Sequence, residues 1–186
     1  MSDTAPATFS QPAQMRDGTP VLIRSVRHDD RQRIIDAFSK LEPQTIYTRF
    51  FSAKKELSET DLGRIDTSDF VHAVSLVATI GEGGGEVIIG GGAYTVLERP
   101  GEPATAEVSF TIEEDYQGQG LAGLFMRLLT QIGRERGIVR FEAEVLAGNV
   151  HMLKVFQRSG LPMHAHIEEG VVHVVMELGG AEPPLS

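Results

Sequence analysis

The middle of this chain has the pattern of a strand, a glycine-rich loop and a helix in direct succession. Residues 106–112 alternate strictly between apolar and polar side chains, which indicates a β-strand. The loop, residues 117–123, carries three glycines, and residues 120–136 then place one apolar stripe at helical spacing. Glycines let the backbone approach a ligand closely, and the unpaired N–H groups of a first helical turn point at an anion. This segment therefore predicts a phosphate-binding site that needs no basic side chain in the loop.

Two other glycine patterns could also indicate a phosphate-binding loop. The Walker pattern fails, because no Gly-Lys-Ser/Thr sequence follows the loop. Gly90, Gly91 and Gly92 lie inside a strand predicted over residues 86–97. We interpret this triplet as a bulge or a close approach of two backbones, and a second phosphate-binding loop is the alternative.

The remaining periodicities predict a mixed α/β fold. Strands and helices follow one another in the order β-α-α, three antiparallel strands, α, β, α and a final hairpin, which differs from a doubly wound parallel sheet. The predicted strands are residues 21–26, 70–80, 86–97, 104–112, 140–146, 164–168 and 171–178. The predicted helices begin near residues 29, 44, 58, 120 and 150, and the second of them ends at residue 51.

The amino-acid composition limits which kinds of site and which partners are possible. The chain has 186 residues, which suits one domain, and it has no cysteine, which excludes disulfides, thiolate zinc clusters and an acyl-cysteine intermediate. The net charge of −9 disfavours nucleic acid and anionic membranes as partners. There is no apolar run of the roughly 18 residues that a membrane span needs.

We expect a disordered tail over residues 1–15, one domain over residues 16–178, a flexible tail over residues 179–186, and a cytoplasmic location.

Several segments resemble the GNAT (GCN5-related N-acetyltransferase) family. The sequence Gln-Gly-Gln-Gly-Leu-Ala at residues 117–122 resembles the family's Q/R-x-x-G-x-G/A loop, which grips the coenzyme A pyrophosphate. Residues 149–161 resemble the family's N-x-x-A/M-x-x-L-Y-x-x-x-G-F segment. Residues 16–24 and 41–51 look like the acetyltransferase domain of bacterial Pat-type protein lysine acetyltransferases.

The resemblance implies a GNAT fold with a central sheet of about seven strands, mostly antiparallel, flanked by helices. It implies transfer of an acetyl group from acetyl-CoA directly to a primary amine, with a protein lysine as one acceptor, in a monomer or homodimer. No metal is expected. Glu107 matches the general base of the Pat-like group. The implied coenzyme-binding residues are Phe110, Thr111, Ile112, Gln117, Gly118, Gln119, Gly120, Leu121, Ala122, Gly123, Asn149 and Phe156.

Three of these assignments have competing interpretations. We expect apolar neighbours to bury Glu107 and raise its pKa, whereas the alternative is an exposed strand glutamate. Asn149 orients the coenzyme arm in the family, and it is also placed to cap a helix. Phe156 stands where many GNAT enzymes have a tyrosine that acts as general acid, and a phenyl ring has no proton to donate.

Other functions also fit the sequence. The acceptor could be a small-molecule amine, or the chain could be an acyl-CoA-binding sensor module without catalysis. A metal site is a further alternative, because His164 and His166 share a strand face and a turn at Glu169 and Gly170 would place His173 opposite His166.

Overall fold

The computed structural model describes residues 8–50, 54–63 and 69–179. Its helices are α1 (Arg31–Ser39), α2 (Pro43–Phe50), α3 (Glu59–Gly63), α4 (Leu121–Glu135) and α5 (Val150–Arg158). Its strands are β1 (Ser10–Gln14), β2 (Pro20–Ser25), β3 (Ala73–Ile80), β4 (Val87–Leu97), β5 (Thr105–Ile112), β6 (Arg140–Leu146), β7 (Met163–Glu168) and β8 (Val171–Glu177). They form one sheet in the order β1-β2-β3-β4-β5-β6-β8-β7.

The predicted mixed α/β class is confirmed. Among the strands described, β5 and β6 are parallel neighbours and the other pairs are antiparallel. The sheet has eight strands, one more than the sequence indicated. No helix within the described ranges is long and apolar enough to cross a membrane.

The additional strand is β1, which lies within the segment that we predicted as a disordered tail. It pairs antiparallel with β2 along its whole length, and the Met15 N–H donates to the Thr19 carbonyl (3.0 Å) to close the turn between them. Pro12 is tolerated because β1 is an edge strand. This segment is held in the sheet by main-chain pairing. Its side chains show no apolar pattern, so the sequence alone looks like that of a disordered tail. The other tail residues, 1–7 and 180–186, and residue 51 of the second predicted helix lie outside the described residues.

The glycines inside β4 allow α4 and β5 to pack closely on the sheet. A Cβ on Gly92 would lie 2.8 Å from Cγ of Phe125, and a Cβ on Gly90 would lie 2.9 Å from Cδ1 of Ile112. The register between β3 and β4 also shifts between Ala78 and Thr79, beside these glycines. The predicted bulge and close approach are confirmed. The alternative of a phosphate loop is wrong, because the triplet is part of a paired strand.

The two parallel strands separate soon after they meet, and this separation positions the candidate site. The register pairs β5 with β6 at only three positions, from Thr105 opposite Arg140 to Glu107 opposite Glu142. Beyond Glu107, β5 continues to pair with β4 on its other side, up to Ile112. The rest of β5 therefore presents one main-chain edge to the fork between the two strands, free of a strand partner.

Candidate functional site

An open groove of about 1520 Å³ runs through the fork between β5 and β6. Its walls are the β5 edge from Val108 to Ile112, the glycine loop, one face of α4 and one face of α5. Of the twelve residues that the resemblance assigned to coenzyme binding, all but Gln119 line this groove. The fold thus brings together residues that are separated by up to about 45 positions in the chain.

The glycine loop presents main-chain donors to one end of the groove. Gly118 and Gly120 adopt left-handed conformations with φ of 77° and 89°, which glycine reaches without strain. Gly120 is also the N-cap of α4, and it offers no side chain to satisfy the N–H groups of the first turn. These donors and the positive end of the helix dipole suit an anion.

The two glutamines of the loop hold its shape through contacts with neighbouring main chain. The Gln117 side-chain amide donates to the Ile112 carbonyl (3.0 Å) at the end of β5. The Gln119 side-chain oxygen accepts from the Asp17 N–H (3.1 Å), which turns this side chain away from the groove. The side chain of Gln119 thus tethers the loop, and coenzyme binding by Gln119 stays a prediction.

Arg16 supplies a basic group that the loop sequence lacks. Its guanidinium donates to the Gly118 carbonyl (3.1 Å), and its main-chain N–H donates to the Gln119 carbonyl (3.1 Å). Arg127, Lys154 and Arg158 also line the groove, although the chain as a whole is strongly acidic. Because Arg16 lies about 100 residues before the loop, the loop motif gave no signal for it.

The start of α5 closes the far side of the groove. The Asn149 side chain accepts a hydrogen bond from the Met152 N–H (3.3 Å), which confirms the predicted helix cap. Phe156 is almost fully buried, and its ring centroid lies 6.0 Å from that of Phe110. Phe156 therefore acts as an apolar floor between α5 and β5.

Glu107 lies at the vertex of the fork, on the polar face of β5. It is exposed, so the prediction that apolar neighbours bury it is wrong. Glu142, its partner across the last register pair, is held by Arg99 through two hydrogen bonds of 2.8 and 3.0 Å. Within the described residues, the Glu107 side chain makes no hydrogen bond or ion pair, which leaves its carboxylate available. The groove lining begins one residue later, at Val108.

A second cavity, of about 210 Å³, lies under α1 and α2 and meets the groove at Ser109 and Thr111. Its walls are mostly apolar, but Glu113 reaches it from the end of β5. Burial raises the pKa of the Glu113 carboxyl above its ordinary value. Glu113 follows the end of β5 and belongs to no recognisable motif, so the sequence alone gave no reason to assign it to the site.

A protein-family model described as the acetyltransferase (GNAT) family matches residues 41–161. An acetyltransferase of Pseudomonas aeruginosa, PA5475, is 34% identical over 121 residues, which are 65% of this chain and 63% of that protein. The acetyltransferase Pat of Mycolicibacterium smegmatis is 32% identical over 150 residues, 80% of this chain and 43% of that protein. The chain thus spans less than two thirds of the length of these relatives.

Solved structures share the fold. The GNAT domain of S. lividans PAT superposes with a TM-score of 0.81 and 34% identity, covering 90% of this chain and 96% of that one. The putative acetyltransferase yncA from Salmonella typhimurium, solved with its cofactor acetyl-CoA, has a TM-score of 0.68. It is 16% identical and covers 89% of this chain and 98% of that one, so it supports the fold alone.

Proposed function

The chain belongs to the acetyltransferase (GNAT) family, and we propose that it transfers an acetyl group from acetyl-CoA to the side-chain amine of a protein lysine. The observation that carries the proposal is the fork between β5 and β6, which opens a free strand edge beside an uncapped helix N-terminus in one groove. The lysine acceptor rests on the resemblance to Pat-type enzymes, and the acidic net charge suits a cationic acceptor.

In this proposal the coenzyme is bound mainly by main chain. The diphosphate accepts hydrogen bonds from the first-turn N–H groups of Leu121, Ala122 and Gly123. The amides of the pantetheine arm pair with the free edge of β5 at residues 110–112, as an added strand would. The thioester end then lies toward the vertex of the fork, where β5 and β6 meet.

Basic side chains complete the donor site. Arg16 lies against the loop, and Arg127, Lys154 and Arg158 line the same groove. The coenzyme carries several negative charges, so these cations offset the repulsion that a chain of net charge −9 exerts on an anion.

Transfer requires a neutral amine. At pH 7 the deprotonation of a lysine with a pKa of about 10.4 costs about 4.6 kcal/mol, so a base near the acceptor is needed. We assign this role to Glu107, whose carboxylate is unpaired at the vertex, while Arg99 occupies the neighbouring Glu142. Because its carboxylate is exposed and unpaired, Glu107 can accept a proton from the acceptor, directly or through one water.

The bonds change in a single displacement. The amine nitrogen attacks the carbonyl carbon of the thioester, so a C–N bond forms as the C–S bond breaks. Before the attack, Glu107 passes the first proton of the ammonium group to solvent. As the amide forms, Glu107 takes the second proton from the nitrogen, and this proton, relayed by water, converts the departing thiolate to the free thiol. Phe156 has no hydroxyl, so it contributes packing at this step and no proton.

An acceptor screen with labelled acetyl-CoA tests the function. Lysine-containing peptides, polyamines and free amino acids are compared by release of the coenzyme thiol and by label in the product, with acetyl-CoA alone as the control for hydrolysis. We expect peptides to be acetylated at least tenfold faster than the small amines. The reverse order would replace the acceptor with a small-molecule amine. Binding of acetyl-CoA without thiol release in any mixture would favour the sensor module.

A further inference from the structure

The last hairpin places two histidines side by side on one face of the sheet. The register sets His166 on β7 directly opposite His173 on β8, as the sequence predicted. The two rings are stacked, with centroids 4.9 Å apart and planes at 16°. On the other side of β8, Glu144 of β6 stands opposite His173, and its Oε1 lies 3.5 Å from the His173 Nδ1. Three neighbouring strands therefore contribute side chains to one row.

A carboxylate, rather than a third histidine, completes this cluster. One possible ligand atom each from His166, Glu168 and His173 lie within 4.8 Å of one another. His164, which the sequence analysis grouped with the other histidines, is opposite Val175 and outside the cluster. Glu168 was missed because it lies next to the turn, and its proximity to His173 depends on the shape of the hairpin.

We propose that His166, His173 and Glu168 form a binding site for a divalent transition metal, with zinc as the first choice. Two imidazole nitrogens and one carboxylate oxygen are a donor set that zinc accepts. Tetrahedral coordination at about 2.0–2.1 Å puts ligand atoms about 3.3 Å apart. The ligand atoms now lie within 4.8 Å of one another, and the side chains of His166 and Glu168 are exposed, so they can rotate inward. Glu144 is the nearest candidate for a fourth ligand.

The position of the cluster indicates what the metal does. Within the described sheet, β7 is an edge strand that pairs with β8 alone. A metal bound to His166 and Glu168 on β7 and to His173 on β8 links the two strands through their side chains. Binding to the folded state alone stabilises that state by mass action. His166, Glu168 and His173 do not line the groove of the proposed transfer, so either proposal can fail without the other.

Calorimetric titration with zinc chloride tests this site on the full chain, without an affinity tag and after treatment with a chelator. The variants are His166→Ala, His173→Ala and Glu168→Gln. His164→Ala is the matched control, because it removes a histidine two residues from His166 that is outside the cluster. Circular dichroism of each metal-free variant verifies that it is folded.

We expect one zinc ion per chain for the unmodified protein and for His164→Ala. Each of the three cluster variants should bind at least tenfold more weakly. Zinc should also raise the melting temperature of the unmodified protein and not that of His166→Ala. Absence of stoichiometric binding, or equal weakening by His164→Ala and His166→Ala, would overturn the proposal.

Discussion

The two sides of the groove are constructed by different means. On the donor side, α4 buries nine residues against the sheet, and the groups that face the groove include main-chain N–H groups and a strand edge. On the side of the second cavity, which we propose as the acceptor side, α1, α2 and α3 bury one residue each, namely Phe38, Ile46 and Leu62. These short helices are linked by side-chain pairs such as Arg31 with Glu59 (2.7 Å). The donor side is thus fixed by packing, whereas the acceptor side depends on individual polar contacts.

This difference explains which side can be recognised in a sequence. Binding by main chain needs glycine and a helix start at fixed spacing, and these leave a pattern in about 20 consecutive residues. Binding by side chains leaves no comparable pattern, since the partners come from distant positions. Four substitutions, three of them paired with a matched control variant, test whether the two sides differ in this way.

The largest effect is expected from Glu107→Gln, which removes the proposed base and leaves the coenzyme groove intact. Turnover with the best acceptor should fall about 10²–10⁴-fold, the usual contribution of a general base. The affinity for acetyl-CoA should stay within about twofold, because the groove lining begins after residue 107. Steady-state kinetics and calorimetry measure the two quantities separately.

Glu113→Gln is the matched control for that experiment. Glu113 is the other carboxyl that reaches the site from β5, and burial raises its pKa. If Glu113→Gln abolishes turnover while Glu107→Gln does not, the base lies on the side of the second cavity. That result would place the general base on the acceptor side, contrary to the assignment of Glu107.

The next effect in size is expected from Gly120→Val, at the N-cap of α4. Gly120 has a φ of 89°, and a β-branched residue there is strained by about 1–2 kcal/mol. Relief of that strain shifts the first-turn N–H groups, so the affinity for coenzyme A should fall about a hundredfold, measured by calorimetry.

Gly137→Val is the control for Gly120→Val. Gly137 has a φ of 82° just beyond the other end of the same helix, and a Cβ there would meet nothing within 4 Å. Both variants carry a similar strain, but only Gly120 lines the groove. Equal affinities of the two variants for coenzyme A would show that the loop amides do not hold the ligand.

The fold and the donor side were largely predictable, and particular residues show where prediction stopped. The alternation in β5 and the apolar stripe of α4 correctly predicted the strand and the helix that form walls of the groove. β1 was missed because its residues are held by main-chain pairing with no apolar pattern. The exposure of Glu107 was predicted wrongly, because burial depends on what covers a strand face. Arg16 and Glu113 were not assigned to the site, since only the folded chain places them there.

A smaller effect is expected from Arg16→Ala. Arg16 brings a positive charge to the loop and donates to the Gly118 carbonyl. Its removal should weaken coenzyme A binding about tenfold, and the difference should shrink at high salt because the charge is exposed. Arg31→Ala is the control, because Arg31 is also an exposed arginine, pairs with Glu59 and does not line the groove. If both variants bind coenzyme A equally well, the charge of Arg16 has no role in the donor site.

The remaining effect is on stability rather than on turnover or binding, and it is expected at Asp61, on the acceptor side. Burial alone would raise the pKa of Asp61, but hydrogen bonds from Lys54 and Ser58 outweigh it and lower the pKa to about 2. A carboxyl whose pKa is lower in the folded state than in the unfolded state stabilises the fold above the unfolded value of about 3.9. That stabilisation is lost as the pH falls toward 2. Asp61→Asn should therefore cost about 1–2 kcal/mol at pH 7, a small part of that near pH 2, and nothing well below pH 2.

Chemical denaturation of the two proteins at several pH values measures this difference. We expect the gap between their free energies of unfolding to narrow steadily from pH 5 to pH 2. Hydrogen exchange near α3 should show the same change locally, while the amides of α4 should be unaffected, because nine buried residues hold that helix. A loss of protection in α4 equal to that in α3 would mean that the two sides unfold as one unit, and that the acceptor side is as firmly anchored as the donor side.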